Sequence, residues 1–215
     1  GLKNPFHPDN SPADLIKIIK SLNERGISCP VLLRVTDYLA FRIKQINNSF
    51  FRAIREIRYK GEYKGVFPVK VNQQAQVIDR IVEFGKEFDF GLEVGSKPEL
   101  LIALAHDLSA NSTIICNGIK DREFIHLAIL SIKIGFKTIL VLESPRELDL
   151  IIKISKELNV RPLLGIRVKL TNKVSGNWSQ SSGDRSAFGL SVEQVMEVIN
   201  KLKIYDYLDL SLIHI

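Results

Sequence analysis

A short apolar run, a polar turn and an amphipathic helix recur through most of this chain with a period close to 24 residues. The apolar runs close on polar or charged residues: Lys70, Glu93, Asn117, Glu143, Arg167 and His214. Lys70 to Glu93 spans 23 residues, Glu93 to Asn117 24, Asn117 to Glu143 26 and Glu143 to Arg167 24. The last step, to His214, is 47 residues long and carries a Gly-, Ser- and Asn-rich insertion at 171–185. Such a period holds one strand and one helix. Strands that are apolar along their whole length need cover on both faces, which is the condition of a parallel sheet.

The pattern predicts strands over 65–71, 88–94, 113–117, 138–143, 162–170 and 208–215. Helices are expected between them, over 74–84, 98–106, 121–134, 145–158 and 191–202. Two parallel folds compete. An open doubly wound sheet often carries a glycine fingerprint in its first strand-to-helix turn. Here that turn is Val71-Asn72-Gln73-Gln74, without glycine. Polar residues at the carboxyl ends of successive strands suit a closed barrel, whose strand ends converge on one mouth. The expected fold class is therefore α/β: a parallel (β/α)8 TIM barrel, incomplete, with about six of its eight strands and a short N-terminal lead-in. Upstream, Ser11-Pro12 predicts a helix cap, 14–24 an amphipathic helix stopped by Gly26, 31–35 a strand and 37–57 a long helix. The expected domains are a lead-in over 1–29 and a barrel over 30–215. The missing initiator Met and the end within a strand suggest a piece cut at both ends.

The net charge of +6 comes from basic residues that are spread rather than clustered. Arg52, Arg55, Arg58 and Lys60 lie at helical spacing and read as a solvated helix face, so a nucleic-acid partner is not expected. No apolar run approaches the roughly 18 residues of a membrane span. Cys29 and Cys116 have neither metal-ligand nor disulfide-framework spacing, and a cytoplasmic setting is expected. His7, His106 and His126 lack metal-like spacing; no metal site is expected from the residues.

Lys70 stands out. It lies in Gly65-Val66-Phe67-Pro68-Val69-Lys70-Val71-Asn72-Gln73-Gln74, at the end of an apolar strand. A lysine desolvated there would have a depressed pKa and a free amine, a nucleophile toward carbonyls. Around it the fold would gather Asn72, Glu93, Ser96, Asn117, Glu143, Arg167 and His214. Two Schiff-base chemistries remain open on these grounds: one with the substrate itself, one with pyridoxal phosphate. For Arg167 and Glu93 a structural ion pair is the competing role, and for Ser96 a helix cap.

The string around Lys70 resembles the pyridoxal-lysine motif of the fold-type III decarboxylases, the alanine-racemase-like barrels, and in its full length that of the biosynthetic arginine decarboxylases. The resemblance continues through Phe90-Gly91-Leu92-Glu93-Val94-Gly95-Ser96-Lys97-Pro98-Glu99-Leu100, through Cys116-Asn117-Gly118-Ile119-Lys120-Asp121-Arg122-Glu123 and through Arg161-Pro162-Leu163-Leu164-Gly165-Ile166-Arg167. It covers about 30–215.

The resemblance implies that Lys70 carries pyridoxal 5'-phosphate as a Schiff base, with Glu93 and Arg167 near the cofactor and Glu99 orienting neighbours. It implies decarboxylation of L-arginine to agmatine and CO2, the first step of a putrescine and spermidine route, with magnesium and a homo-oligomer in the full-length protein. Another basic amino-acid decarboxylase (ornithine, lysine or diaminopimelate) and a non-catalytic pyridoxal-phosphate-binding barrel are the alternatives. His214 matches the first histidine of the family's His-Phe-His-Leu-Gly-Ser, so the ring-stacking second one falls beyond residue 215. Relatives usually have lysine before Phe-Gly-Leu, where this chain has Ala187. The 215 residues alone are expected to be inactive, lacking the closing strands and a phosphate cradle.

Overall fold

The apolar runs pair as parallel strands because each is followed by a helix long enough to carry the chain back across the sheet. The structure is a computed structural model that describes residues 1–169, 188–205 and 209–214. Its strands are β1 (Val66–Pro68), β2 (Gly91–Val94), β3 (Thr113–Cys116), β4 (Lys137–Leu142), β5 (Leu163–Arg167) and β6 (Asp209–His214). Its helices are α1 (Leu15–Glu24), α2 (Thr36–Glu56), α3 (Ala75–Gly85), α4 (Lys97–Leu104), α5 (Arg122–Lys133), α6 (Pro145–Leu158) and α7 (Val192–Leu202). None of them is long and apolar enough to cross a membrane.

All strand pairs are parallel, and the order across the sheet is β1-β2-β3-β4-β5-β6. A doubly wound sheet reverses its order at a switch point, whereas a barrel keeps it. The register separates two faces. Val69, Leu92, Val94, Ile114, Cys116, Leu140, Leu142, Leu164 and Ile166 share one core with Ile78, Phe124, Ile125, Leu148 and Ile151 of the helices. Glu93, Ile115, Ile139, Val141, Glu143, Gly165 and Arg167 alternate with them and face the other way. Helices on one face and a singly wound order make this six strands of an incomplete (β/α)8 barrel, as the period predicted.

Local chemistry explains the helix starts. Ser96 Oγ accepts from the Glu99 N–H, Asp121 Oδ1 from Phe124 and Ser144 from Arg146. Ser191 and Gln194 close a full capping box at α7. Asn159 ends α6 in the left-handed conformation, φ 51°.

Three expectations are corrected. Residues 31–35 form no strand: Leu32, Leu33 and Val35 are exposed, and no described strand lies beside them to complete a ladder. The cap of α1 is Asp14, not Ser11. Paired bonds between Leu2 and Ala13, at 2.9 and 2.7 Å, hold the preceding residues extended, so the helix starts later. Strand β1 ends at Pro68, and Val69–Val71 is a 3-10 turn. The insertion at 171–185 and Ala187 lie outside the described residues.

Gly91 marks where two strands approach most closely. A Cβ there would stand 2.0 Å from the Thr113 carbonyl oxygen, while one at Gly95 would meet nothing nearer than Glu99 Oε2 at 3.8 Å. We expect Gly91→Ala to destabilise the fold by about 3 kcal/mol through forced strand separation. Gly95→Ala should stay within about 0.5 kcal/mol. Urea unfolding of both variants checks the contrast.

Candidate active site

The carboxyl ends of the strands bring Lys70, Glu93, Asn117, Glu143 and Arg167 to one mouth, with Glu93, Glu143 and Arg167 on the sheet face away from the helices. Lys70 follows β1 by two residues. Proline at position 68 has no N–H for the ladder, and the chain turns immediately, with the Asn72 N–H donating to the Val69 carbonyl at 3.1 Å. Val69 takes the fully buried place and Lys70 is exposed. This corrects the expectation of a desolvated lysine: the turn puts the amine out at the mouth rather than among apolar neighbours. Asn72 is not free to act there, since its Oδ1 accepts the Gln74 N–H at 3.1 Å and shapes the entry to α3.

Glu93 is half-buried, in register with Pro68 on one side and Ile115 on the other. Asn117 extends β3 through its N–H, which donates to the Val94 carbonyl at 2.8 Å. Its side chain is buried, yet Oδ1 has no hydrogen-bond partner among the described residues. A buried acceptor left so costs about 1–3 kcal/mol, which makes Asn117 Oδ1 a place for a donor on a bound molecule. Glu143 and Arg167 form an ion pair, Nη1 to Oε1 at 3.1 Å. The Glu143 carboxylate has no exposed surface and the Arg167 side chain is about a third exposed. The Phe188 ring lies 5.5 Å from the guanidinium on another side. In the backbone register His214 pairs with Arg167, helped by a bulge between Leu164 and Gly165 that shifts β6 by one residue. Ser96 caps α4, the role weighed against it from the sequence.

Two residues escaped sequence reasoning. The Lys120 side chain is wholly buried, and its ammonium meets the Gly118 carbonyl at 2.6 Å, the Val141 carbonyl at 2.5 Å and Glu147 Oε2 at 3.3 Å. All three donors are thus used. Glu147 in turn accepts the Lys120 N–H at Oε1 and the Glu143 N–H at Oε2, both at 2.8 Å. Burial lowers the Lys120 pKa, opposed by the Glu147 charge and hydrogen bond and by the Glu143 charge. A faint signal for Glu147 existed: Ser144-x-x-Glu147 repeats Ser96-x-x-Glu99, and in both the glutamate reaches back to the N–H of the residue before the capping serine. For Lys120 there was none, since a lysine beside Asp121 and Glu123 reads as surface.

These contacts also limit what the loops can bind. The Gly95 N–H donates to Glu99 and the Gly118 N–H to Glu143, at 2.9 and 3.0 Å. Both amides are therefore committed to carboxylates and do not cradle a phosphate. Among the described residues no group of three metal-ligating side chains occurs. A cleft of about 330 Å³ lined by Tyr63, Phe88 and Asp89 lies at the amino ends of the strands, away from the mouth.

Burial pushes the Cys116 thiol from its ordinary 9.0 up to about 12, with the Lys120 charge opposing. The folded protein holds that proton more tightly, so the stabilisation is complete below pH 9.0 and is lost as pH rises toward about 12. Cys29 is exposed. At pH 8 a thiol reagent is expected to modify Cys29 in the native full-length protein and Cys116 only after denaturation, as read by peptide mass spectrometry.

Comparison with known proteins adds the family. Residues 43–215 match the family described as pyridoxal-dependent decarboxylase, pyridoxal binding domain. The chain is 48% identical over 211 residues to the biosynthetic arginine decarboxylase of Gloeobacter violaceus, covering 98% of this chain and 33% of that protein. With the same enzyme of a Nostoc species it shares 45% identity over 202 residues, 94% of this chain and 30% of that one. It thus spans about a third of the length of these curated relatives. Among solved structures, the biosynthetic arginine decarboxylase of Campylobacter jejuni superposes with a TM-score of 0.79 at 36% identity, covering 90% of this chain and 30% of that one. A diaminopimelate decarboxylase of M. jannaschii in complex with L-lysine follows at 0.64 and 25%, covering 81% and 40%.

Proposed function

We propose that this chain, which belongs to the pyridoxal-dependent decarboxylase family, is the greater part of the cofactor-binding barrel of an enzyme that converts L-arginine to agmatine and CO2. The observation that carries the reading is the likeness to biosynthetic arginine decarboxylases along nearly the whole chain, within which Lys70 stands exposed at the barrel mouth. On this reading residues 30–215 belong to the barrel and 1–29 to a lead-in. Agmatine would feed a polyamine route, in the cytoplasm and from a homo-oligomer.

The residues at the mouth suit pyridoxal phosphate at its carbonyl end. Lys70 offers an accessible primary amine, Glu93 a half-buried carboxylate and Asn117 an acceptor awaiting a donor. The phosphate end finds no cradle in the loops after β2 and β3. When bound, the cofactor supplies an electron sink for the pair released as CO2 leaves. Lys70 Nζ would hold the cofactor at its carbonyl and would keep a proton at the mouth. Glu143 keeps the Arg167 guanidinium fixed beside it, and Glu93 would orient the cofactor ring. The apolar inner wall of Ile115, Ile139 and Val141 would keep water from a substrate held at the mouth. Magnesium has no candidate ligand set among the described residues, and no step is assigned to it.

A reading as diaminopimelate decarboxylase is favoured only by the second structural likeness, at lower identity. Incubating the full-length protein separately with arginine, ornithine, lysine and diaminopimelate decides. Agmatine from arginine is expected. Putrescine from ornithine alone would overturn the assignment.

A further inference from the structure

We propose that Lys120, acting through Glu147 and Glu143, is a positioning residue for Arg167 at the barrel mouth. This rests on the decarboxylase reading of that mouth. The contacts form one chain. Lys120 ties the loop after β3 to β4, through the carbonyls of Gly118 and Val141. Its ammonium meets Glu147, whose Oε2 also takes the N–H of Glu143 at 2.8 Å. The Gly118 N–H holds the carboxylate of that same Glu143 at 3.0 Å, and Arg167 Nη1 lands on the same oxygen at 3.1 Å. The end of β4 is thus held by its backbone from α6 and by its side chain from the loop after β3. The guanidinium on β5 takes its place from the result.

Stability alone does not account for the pair. A buried ion pair is often matched or bettered by apolar residues of the same volume, because its desolvation offsets its attraction. A comparison within the barrel points the same way. At β2, Glu99 accepts the Gly95 N–H at 2.9 Å and the Ser96 hydroxyl at 3.0 Å, the same reach-back from α4 to the strand end. That copy carries no buried lysine. The lysine occurs where the device must hold a second carboxylate against an arginine. Lys120 supplies the counter-charge that lets Glu147 remain an anion at 5% exposure and so remain an acceptor for Glu143. Without it, the buried Glu147 carboxylate lacks its partner and turns outward. That change loosens the Glu143 backbone and the arginine that leans on it.

The test uses the full-length protein with its cofactor. Lys120→Met with Glu147→Gln keeps the volume and removes both charges together. The pair of substitutions is expected to leave the visible cofactor band in place and lower kcat/KM for arginine about tenfold. Arg167→Ala is expected to lower it further, and the three substitutions combined should fall no more than about threefold below Arg167→Ala alone, since both routes disable one unit. Losses that multiply, or wild-type kcat/KM in the Lys120/Glu147 variant, would overturn the proposal. Glu143→Gln leaves the Lys120–Glu147 pair whole while removing the carboxylate that holds Arg167, and must show the same non-additivity with Arg167→Ala; if the charge-free variant fails to fold, this one decides. If the wild-type protein decarboxylates none of the basic amino acids, the functional reading falls and takes this proposal with it. A wild-type enzyme that works while its variants multiply refutes the positioning role alone.

Discussion

Replacing Lys70 with alanine in the full-length protein is expected to abolish the visible absorption of bound cofactor and lower arginine turnover by at least about a thousandfold. The magnitude follows from what is lost. The other lysines near the strand ends are held differently: Lys120 is buried with all three donors engaged, Lys97 is tied to Asp121 and Glu123 on the surface, and Lys169, two residues past β5, is half-buried where Lys70 is exposed. Lys70→Arg should be as inactive, because a guanidinium stays charged and does not attack a carbonyl. Because Lys70 is exposed and its neighbour Val69 carries the packing, neither substitution should move the melting temperature of the cofactor-free protein by more than a degree or two. Absorption spectra, agmatine assays and thermal melts give the three readouts. A cofactor band that persists in Lys70→Ala would remove the lysine from the site.

The largest stability effect is expected from Lys120→Met alone. It leaves the Glu147 carboxylate 5% exposed and without its counter-charge, and the Gly118 and Val141 carbonyls without a donor. Breaking a buried pair by removing one partner costs about 3–5 kcal/mol. Lys120→Met combined with Glu147→Gln should recover most of that, because no isolated charge remains. Urea unfolding gives the comparison: a large drop in midpoint for the single variant, a small one for the double. Equal drops would mean that the loop contacts of Lys120, rather than the charge pair, carry the stability.

How far the sequence reached can be followed residue by residue. The step of about 24 residues from one strand-end polar group to the next was enough to place Glu93, Asn117, Glu143 and Arg167 on one face, because parallel pairing in unbroken order leaves strand ends little freedom. The capping serines were legible because a helix start has local chemistry. Residues 31–35 were misread because a short apolar run signals a strand only when another edge is present to receive it. The burial of Lys70 was misread for a related reason. Proline at 68 ended the ladder early, and a turn two residues long decided which side chain faced the core.

The sequence by itself determined the parallel barrel, the mouth and the lysine that defines it, since these follow from periodicity and from one long, specific string. Only the tertiary structure decided that Lys70 is exposed and Lys120 buried. Burial is a property of what surrounds a side chain in space. The groups surrounding Lys120 are Gly118, Val141 and Glu147, up to 27 residues away along the chain, and no local pattern marks them as its neighbours.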